Sequence, residues 1–230
     1  MRTEARKEGG FYVLNGRKMF ITNGSVADYL IVLARTSVEE KRHRGGLTLF
    51  IVDRGGTAGL EATRLRGGKM GVRPSVTTEV VLDGCRVPEE NVLGQVGMGF
   101  YHVMEFFNRS RINVAAMSLG IAEGAMDILV GEVRGGRLEH MRKGHGMSLL
   151  SSLFTRVSLA RAITYRAAEE AQDGRANPAL SSMAKKFASE VAVQVSSEVV
   201  RYLGQSGISG RAERFLRDAR IMPIWEARAR

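Results

Sequence analysis

The stretch KMFITNGS, residues 18–25, is the point at which an apolar extended run stops at polar residues. The apolar part, residues 19–21, predicts a strand. Thr22, Asn23 and Gly24 then supply a hydroxyl group, an amide and a backbone that tolerates a positive φ. This mixture is expected where the end of a strand meets a planar ligand. An ordinary hairpin turn is the alternative, because Asn-Gly is a common hairpin signal.

The composition sets the size and class of the protein. The chain has 230 residues, of which 44% are hydrophobic, so it can bury a core as one large or two small domains. We find no run of about 18 apolar residues and no signal-peptide core in the first ten residues, so we expect a cytoplasmic protein without a membrane partner. The single cysteine, Cys85, excludes an internal disulfide and is expected to pack in a core.

The formal net charge of +10 is compatible with two kinds of anionic partner. A strongly basic chain can bind nucleic acid, and it can equally suit a polyanionic small molecule such as coenzyme A or FAD. The dense basic run KRHR, residues 41–44, has no interleaved aromatic residues and is expected to be a solvated loop. We expect no nucleic-acid partner, although charge alone does not choose between the two.

Short β-branched and aromatic runs, separated by Gly, Asp, Asn and charged residues, fill the first part of the chain. Their spacing predicts an antiparallel, barrel-like β domain at residues 1–97. A turn is expected at Asp83 and Gly84, and Pro88 follows before the pattern changes. The predicted strands are residues 11–15, 17–22, 29–36, 46–52, 60–64 and 77–82.

From Gly99 onward the apolar residues fall at helical spacing. This pattern predicts an up-and-down helical bundle at residues 98–230, which makes the fold α+β. Its first part, through Leu129, is one long helix or two in near continuity. The later helices are predicted at residues 149–172, 180–203 and 212–222, with stops at Asp173-Gly174, Gly204 and Pro223.

Other motifs that could carry chemistry are weak. The cluster Gly94, Gly97 and Gly99 is not expected to be a phosphate loop, because no parallel strand precedes it and no Lys-Ser/Thr follows. A helix N-terminus explains it. The histidines do not share metal-ligand spacing, so we expect no metal, and no Ser-His-Asp arrangement can be argued. These histidines are His43, His102, His140 and His145.

Four segments together resemble the acyl-CoA dehydrogenase family. They are YVLNGRKMFITNG (12–24), KMGVRPSVTTEVVLDGCRVPEENVLGQVGMGF (69–100), RINVAAMSLGIAEGAMD (111–127) and FLRDARIMPIWE (215–226). The resemblance covers most of residues 1–134 and 157–226, in the family's order and at about its spacing. It implies a middle β domain and a C-terminal helical domain, and we expect that the family's N-terminal helical domain is missing.

The resemblance also implies an activity. Acyl-CoA dehydrogenases are FAD-dependent oxidoreductases of fatty-acid β-oxidation and lipid metabolism, which remove hydrogen from the α and β carbons of an acyl-CoA thioester. They pass electrons to an electron-transfer flavoprotein and form homodimers or homotetramers. We expect the same substrate, cofactor, acceptor and homo-oligomer here, in a truncated form.

The resemblance assigns roles to residues of both domains. Glu226, in IMPIWE, looks like the family's catalytic base, whereas the residues alone suggest a solvated carboxylate near the C-terminus. Removal of a proton α to a thioester requires a base whose pKa burial raises. Phe20, Ile21 and Thr22 would contact the flavin, with Phe20 standing where the family usually has Trp.

Asn108 and Arg111, in FFNRSRINVAA, lie one helical turn apart and would present an amide and a cation on one face. From the residues alone they are equally well read as a solvated pair. The resemblance implies that they contact the coenzyme A part of the substrate. Asn108 replaces a residue that is often Asp, which keeps a hydrogen-bonding group and removes a charge.

Several implied FAD contacts depart from the family pattern. Arg142, in RKGHG, stands for a displaced remnant of an arginine motif that meets the neighbouring subunit's FAD. Arg201 replaces a usual Gln, and in the turn Leu203-Gly204-Gln205 the last residue replaces a second Gly, whose absence could block the approach of a phosphate to the backbone.

These departures leave a second hypothesis, a non-catalytic remnant that oligomerises or binds CoA without turnover. After Glu226 the chain reads ARAR where the family continues with Gly-Thr-Ser. We expect a frameshift there, and the 134–156 stretch is a candidate for the same origin. Intact Gly-Thr-Ser codons one frame away would support this explanation.

Overall fold

The computed structural model describes residues 2–37, 46–172, 174 and 177–226. The predicted loop at residues 41–44, the helix stop at Asp173 and the residues after Glu226 lie outside the described residues. The chain divides into two compact units. The first, the β unit, comprises Met1–Lys69 and Arg73–Glu105, and the second, the helical unit, comprises Met70–Val72 and Phe106–Arg230.

The β unit is built on one seven-stranded sheet with the strand order β5-β6-β2-β1-β3-β4-β7. Neighbouring strands are antiparallel except β1 and β3, which pair in parallel at Glu4 and Arg35. The predicted combination of a β domain with a helical bundle is confirmed, and the sheet is mixed. The strands are β1 Glu4–Glu8, β2 Phe11–Thr22, β3 Tyr29–Arg35, β4 Leu47–Asp53, β5 Leu60–Arg64, β6 Thr77–Pro88 and β7 Val92–Leu93.

Three details of the sheet differ from the prediction. Strand β1 was not predicted, and β2 is continuous where two segments were expected. The expected turn at Asp83 and Gly84 is an irregularity inside β6, where the register moves from Leu14↔Cys85 to Gly16↔Leu82 and Gly84 takes a φ of 61°. The hairpin interpretation of residues 22–24 is wrong, because β1 lies between β2 and β3.

The core of the β unit consists of side chains from one face of each long strand. Leu14, Phe50 and Val52 are fully buried, and the Phe50 ring lies 5.0 Å from that of Tyr12, centroid to centroid. The Cys85 thiol is also fully buried, and this burial raises its pKa. Cys85 therefore has the core role that its sequence context predicts.

The described residues of the helical unit form most of one 36-residue helix and four further helices. Fully buried alanines at helical spacing, such as Ala115, Ala122, Ala188 and Ala192, line its core and let the helix backbones approach closely. The second helix begins five residues before the predicted start. The helices are α1 Gly99–Arg134, α2 Gly144–Gln172, α3 Pro178–Leu203, α4 Gln205–Ser209 and α5 Ala212–Ala219, with a 3-10 turn at Glu139–Arg142.

Helix α1 corrects the expectation that no stretch is long and apolar enough to span a bilayer. An 18-residue window of α1 reaches a mean hydropathy of 1.5, and 44% of that window is buried inside the protein. The same helix supplies Leu119, Met126 and Leu129 to the helical core. A core helix of a soluble protein meets the same length and hydropathy criteria, so this feature is weak support for a membrane span.

Candidate functional site

A cluster of polar side chains lies inside the helical unit, which we call the polar cluster. Helix α1 carries two of its members one turn apart, α3 carries three, and the segment after α5 carries the last. All six are buried or partly buried. The members are Asn108, Arg111, Ser181, Ser182, Lys185 and Glu226.

Glu226 follows a hydrogen-bonded turn that begins where α5 ends. The backbone N–H groups of Ile224 and Trp225 both donate to the carbonyl oxygen of Ile221, at 3.0 and 3.1 Å. Glu226 itself has a φ of 52°, a left-handed conformation that costs a residue other than glycine about 1–2 kcal/mol. Its Oε2 atom is buried and has no hydrogen-bond partner among the described residues. The turn therefore presents a carboxylate with one acceptor unused.

Lys185 is the charged member of the polar cluster that the sequence analysis did not identify; Ser181 and Ser182 were not identified either. Only 6% of its surface is exposed, and its Nζ donates to the carbonyl oxygen of Pro223 over 2.8 Å. Burial lowers the pKa of Lys185, the Glu226 carboxylate opposes this shift, and the Arg111 guanidinium adds to it. The signal in the sequence is its spacing from Ser181 and Ser189, which places a lysine on the buried face of α3.

The predicted pair on α1 belongs to the same cluster. Arg111 donates from Nη1 to the Ser182 hydroxyl over 3.3 Å and lies over the Phe107 ring at 5.9 Å. The Oδ1 atom of Asn108 is buried without a hydrogen-bond partner among the described residues, as is Oγ of Ser181. A solvated surface pair is therefore wrong for Asn108, and the cluster holds acceptors that a ligand could satisfy.

The predicted flavin contacts of the β unit lie at a bulge in β2. The register passes from Lys18↔Val80 to Ile21↔Thr78, so Met19 and Phe20 together face one residue of β6. Phe20 takes a φ of 59° and is 74% exposed. A bulky residue held in this conformation is strained, and such strain is found most often at ligand sites.

Two hydrogen bonds join the strand end next to the bulge to the start of β6 and to the residue before it. The Thr78 hydroxyl donates to the Ile21 carbonyl over 2.8 Å, and the Asn23 side-chain oxygen accepts from the backbone N–H of Val76 over 3.3 Å. The Thr22 side chain is exposed. An aromatic ring and a hydroxyl group are thus offered to solvent from a rigid strand end, which fits the edge and face of a planar ring system such as flavin.

The two arginines predicted to meet FAD have partners within the chain. Arg142 donates from Nε and Nη2 to the carbonyl oxygens of Val133 and Arg134 at 2.9–3.1 Å, which neutralises the C-terminal end of α1. Arg201 donates to the Glu198 carboxylate, with Nε 3.0 Å from Oε2, and lies 4.6 Å from the Tyr202 ring centre. A bound phosphate would compete with these contacts.

The predicted turn residues border a cleft of about 640 Å³ within the helical unit. Leu203 lines it directly, together with Gly124, Ile128 and Phe215, and an Arg137–Glu132 ion pair lies at its wall. Gly204 separates α3 from α4 with a φ of 55°, and the exposed Gln205 begins α4. The side chain at position 205 therefore points away from the buried helical core.

Comparison with known proteins gives consistent matches to both units. The model of the acyl-CoA dehydrogenase middle domain matches residues 1–85, and that of the acyl-CoA dehydrogenase C-terminal domain matches residues 97–226. The chain is 38% identical to cyclohex-1-ene-1-carbonyl-CoA dehydrogenase of Geobacter metallireducens and 39% identical to an acyl-CoA dehydrogenase of Bacillus subtilis. Each match covers 98% of this chain and 60% of the relative.

A solved structure gives the same result for the fold. Butyryl-CoA dehydrogenase of Megasphaera elsdenii aligns with a TM-score of 0.87 at 36% identity, over 98% of this chain and 59% of that one. The chain thus spans about three fifths of the length of the relatives it matches. Two domain models that together span nearly the whole chain show that this protein belongs to the acyl-CoA dehydrogenase family of oxidoreductases.

Proposed function

We propose that the chain carries out FAD-dependent α,β-dehydrogenation of an acyl-CoA thioester with Glu226 as the base. Family membership supports the class of reaction. The observation that carries the proposal is the buried Oε2 atom of Glu226, which has no hydrogen-bond partner among the described residues and lies in electrostatic contact with Lys185. A proton acceptor at a carbon acid requires such an unused carboxylate oxygen, shielded from water.

Different residues of the chain remove the proton and bind the substrate. Glu226 takes the proton that leaves the α carbon, and the electron pair of that C–H bond becomes part of the new Cα–Cβ double bond. Asn108 and Arg111 hold polar groups of the coenzyme A moiety, because they offer an amide and a cation one turn apart on α1. FAD, when bound, supplies the two-electron acceptor for the hydride that leaves the β carbon.

FAD contacts are proposed in the β unit and, separately, in the helical unit. In the β unit, Phe20, Ile21 and Thr22 offer a ring, a backbone and a hydroxyl group to the flavin. In the helical unit, Arg142, Arg201 and the turn Leu203-Gly204-Gln205 are proposed for the phosphates. Each arginine would exchange an intrachain acceptor for a phosphate oxygen, which is the stronger acceptor for a guanidinium group.

The partners follow from the proposed reaction. The two electrons removed from the substrate must reach an external acceptor, and we propose an electron-transfer flavoprotein for this role. We also propose a homodimer or homotetramer, a cytoplasmic location and a role in the β-oxidation of fatty acids. The acceptor, the oligomer and the metabolic role are proposed from the family, whose members named above act on CoA thioesters, and the location is proposed from the composition of the sequence.

A second candidate function is a non-catalytic family member that binds CoA or oligomerises without turnover. The engagement of Arg142 with the end of α1 and of Arg201 with Glu198 favours it, because guanidinium donors of both residues already have acceptors within the chain. Gln205 also favours the non-catalytic function. It stands where the family has a glycine, and its side chain restricts the approach of a phosphate to the backbone.

Visible absorbance of the purified chain, before and after incubation with excess FAD, separates the two candidates. The proposal predicts a bound flavin band that bleaches on addition of an acyl-CoA. Glu226→Gln should abolish the bleaching and keep the band, whereas Glu190→Gln, an exposed carboxylate on α3, should behave as the wild type. A folded chain that binds CoA but takes up no FAD would support the non-catalytic function and overturn the proposal.

A further inference from the structure

Lys185 is the least exposed lysine side chain in the described helical unit, and it has no role in the reaction described above. An isolated ammonium group is costly to bury, because desolvation disfavours the charge by several kcal/mol (order of magnitude). A buried lysine is therefore retained where other groups satisfy it. The groups that do so here are the Pro223 carbonyl and the Glu226 carboxylate.

The contact with Pro223 acts on the turn that carries Glu226. Residues 221–226 are held by two backbone bonds to Ile221 and one from Met222 to Ala219. The Pro223 carbonyl lies inside this turn, three residues before Glu226. Among the described residues, the Lys185 side chain donates a hydrogen bond to this carbonyl. A rigid helix, α3, thereby fixes a short irregular segment by one charge-assisted hydrogen bond.

The charges around Lys185 determine its electrostatic role. Glu226, after α5, favours its protonated form, and Arg111, on α1, disfavours it. Lys185 thus holds the turn that carries Glu226 and places a cation in electrostatic interaction with its carboxylate.

From these contacts we infer that Lys185 is a positioning residue for the base: it anchors the turn through Pro223 and keeps a cation beside the Glu226 carboxylate. The inference rests on the proposed function, because only that function makes Glu226 a base. Lys186, the next residue on α3, is exposed and pairs with Glu190 at 3.3 Å, so it provides a matched control for the loss of a lysine.

The first test requires neither substrate nor FAD. The Lys185 side chain is titrated by NMR in the wild-type chain, in Glu226→Gln and in Glu190→Gln. We expect the Lys185 midpoint to fall by about half a pH unit or more in Glu226→Gln, because the favourable carboxylate is lost, and to stay unchanged in Glu190→Gln. An unchanged midpoint in folded Glu226→Gln would overturn the inference.

The second test measures proton removal itself, as uptake of solvent deuterium at the α carbon of an acyl-CoA. Lys185→Met is expected to slow uptake by about tenfold to a hundredfold with unchanged CoA affinity, since the base is misplaced. Lys186→Met should match the wild type. Lys185→Gln, which keeps a donor for Pro223 but not the charge, should recover part of the rate. Wild-type rates in Lys185→Met would contradict the inference.

Failure of the inference and failure of the proposed function give different results. If the wild-type chain shows no deuterium uptake, the proposed function fails whatever Lys185 does. If the wild type takes up deuterium and folded Lys185→Met does so equally fast, the function stands and the positioning role is excluded. Thermal unfolding of each variant identifies any that do not fold, and the NMR titration then decides, because it leaves Lys185 in place.

Discussion

The backbone N–H of Val72 donates to Oδ1 of Asp218 over 2.6 Å, which joins two residues 146 positions apart in the chain. The adjacent Arg217 donates from Nη1 to the Met70 carbonyl over 2.8 Å. Side chains of helix α5 therefore hold the backbone of the three residues Met70–Val72. These residues belong to the helical unit although strands flank them in sequence.

We expect Asp218→Ala to lower the free energy of unfolding by about 1–2 kcal/mol, because the Val72 N–H loses a charged acceptor. Asp218 also faces Arg214 at 3.7 Å, but the Arg214 side chain is 73% exposed. Arg214→Ala should therefore change the stability little. Urea unfolding of both variants measures the difference. Equal losses in the two variants would assign the effect to the surface pair.

The same contact makes Gly71 intolerant of a side chain. A Cβ atom at this position would lie 2.2 Å from the Arg217 carbonyl oxygen, which is backbone and cannot rotate away. Gly71→Ala should destabilise the chain by about 1–3 kcal/mol. Gly68→Ala is the control, since no atom lies within 4 Å of a Cβ there, and it should stay within about 0.5 kcal/mol of wild type. Similar unfolding midpoints for both variants would refute the close contact.

Phe20 is expected to lower the stability of the β unit and to strengthen flavin binding. Phe20→Gly should stabilise the β unit by about 1 kcal/mol, since glycine accepts a φ of 59° without strain. The same change removes the exposed ring and should weaken FAD binding. Phe20→Ala removes the ring but keeps the strain, so it should weaken FAD binding without the gain in stability. Chemical denaturation and fluorescence titration with FAD measure the two effects, and unaltered affinity in both variants would exclude Phe20 as a flavin contact.

The stability difference between the wild-type chain and Lys185→Met should depend on pH. Burial lowers the folded-state pKa of Lys185 below its ordinary value of 10.5. Between these two values the unfolded chain binds more protons than the folded chain, so the wild-type free energy of unfolding rises with pH relative to Lys185→Met. Below the folded-state pKa, the lysine is charged in both states and the difference is constant.

Urea unfolding between neutral pH and about pH 10 measures this slope, and the comparison with Lys185→Met cancels the other titrating groups. If the wild-type free energy of unfolding does not rise with pH relative to that of Lys185→Met, Lys185 is not desolvated in the folded chain.

Sequence reasoning predicted the elements whose pattern reflects burial. The alternation in β3 and the helical spacing from Val114 to Leu129 both follow the cores that these elements enter. Strand β1, EARKE, was missed because only Ala5 is buried and the other four residues are exposed. Its strand character comes from backbone pairing with β2, which no side-chain pattern records. The early start of α2 was missed for a similar reason, since its first residues are Gly, His and Gly.

The candidate site was predictable only in part. Asn108, Arg111 and Glu226 were identified through the resemblance. The structure brings Arg111 and Glu226 together with Lys185 of α3, and Asn108 lies one turn from Arg111 on α1. Lys185 was not identified, because a lysine on a helix is ordinarily assigned to the solvent side. Its burial depends on the turn at residues 221–226, which lies 36 or more positions away and provides the carbonyl acceptor. Contacts between residues this far apart in the sequence form only in the tertiary structure.

The bulge in β2 has a consequence for how this strand can evolve. Before it, the even-numbered residues Tyr12 and Leu14 point into the core, and after it the odd-numbered Ile21 is the more buried residue. The extra residue thus resets the inward and outward alternation, so Phe20 lies outside the pattern that the core imposes on its neighbours. Selection can change the ring at position 20 to suit a ligand while the hydrophobic core stays constant.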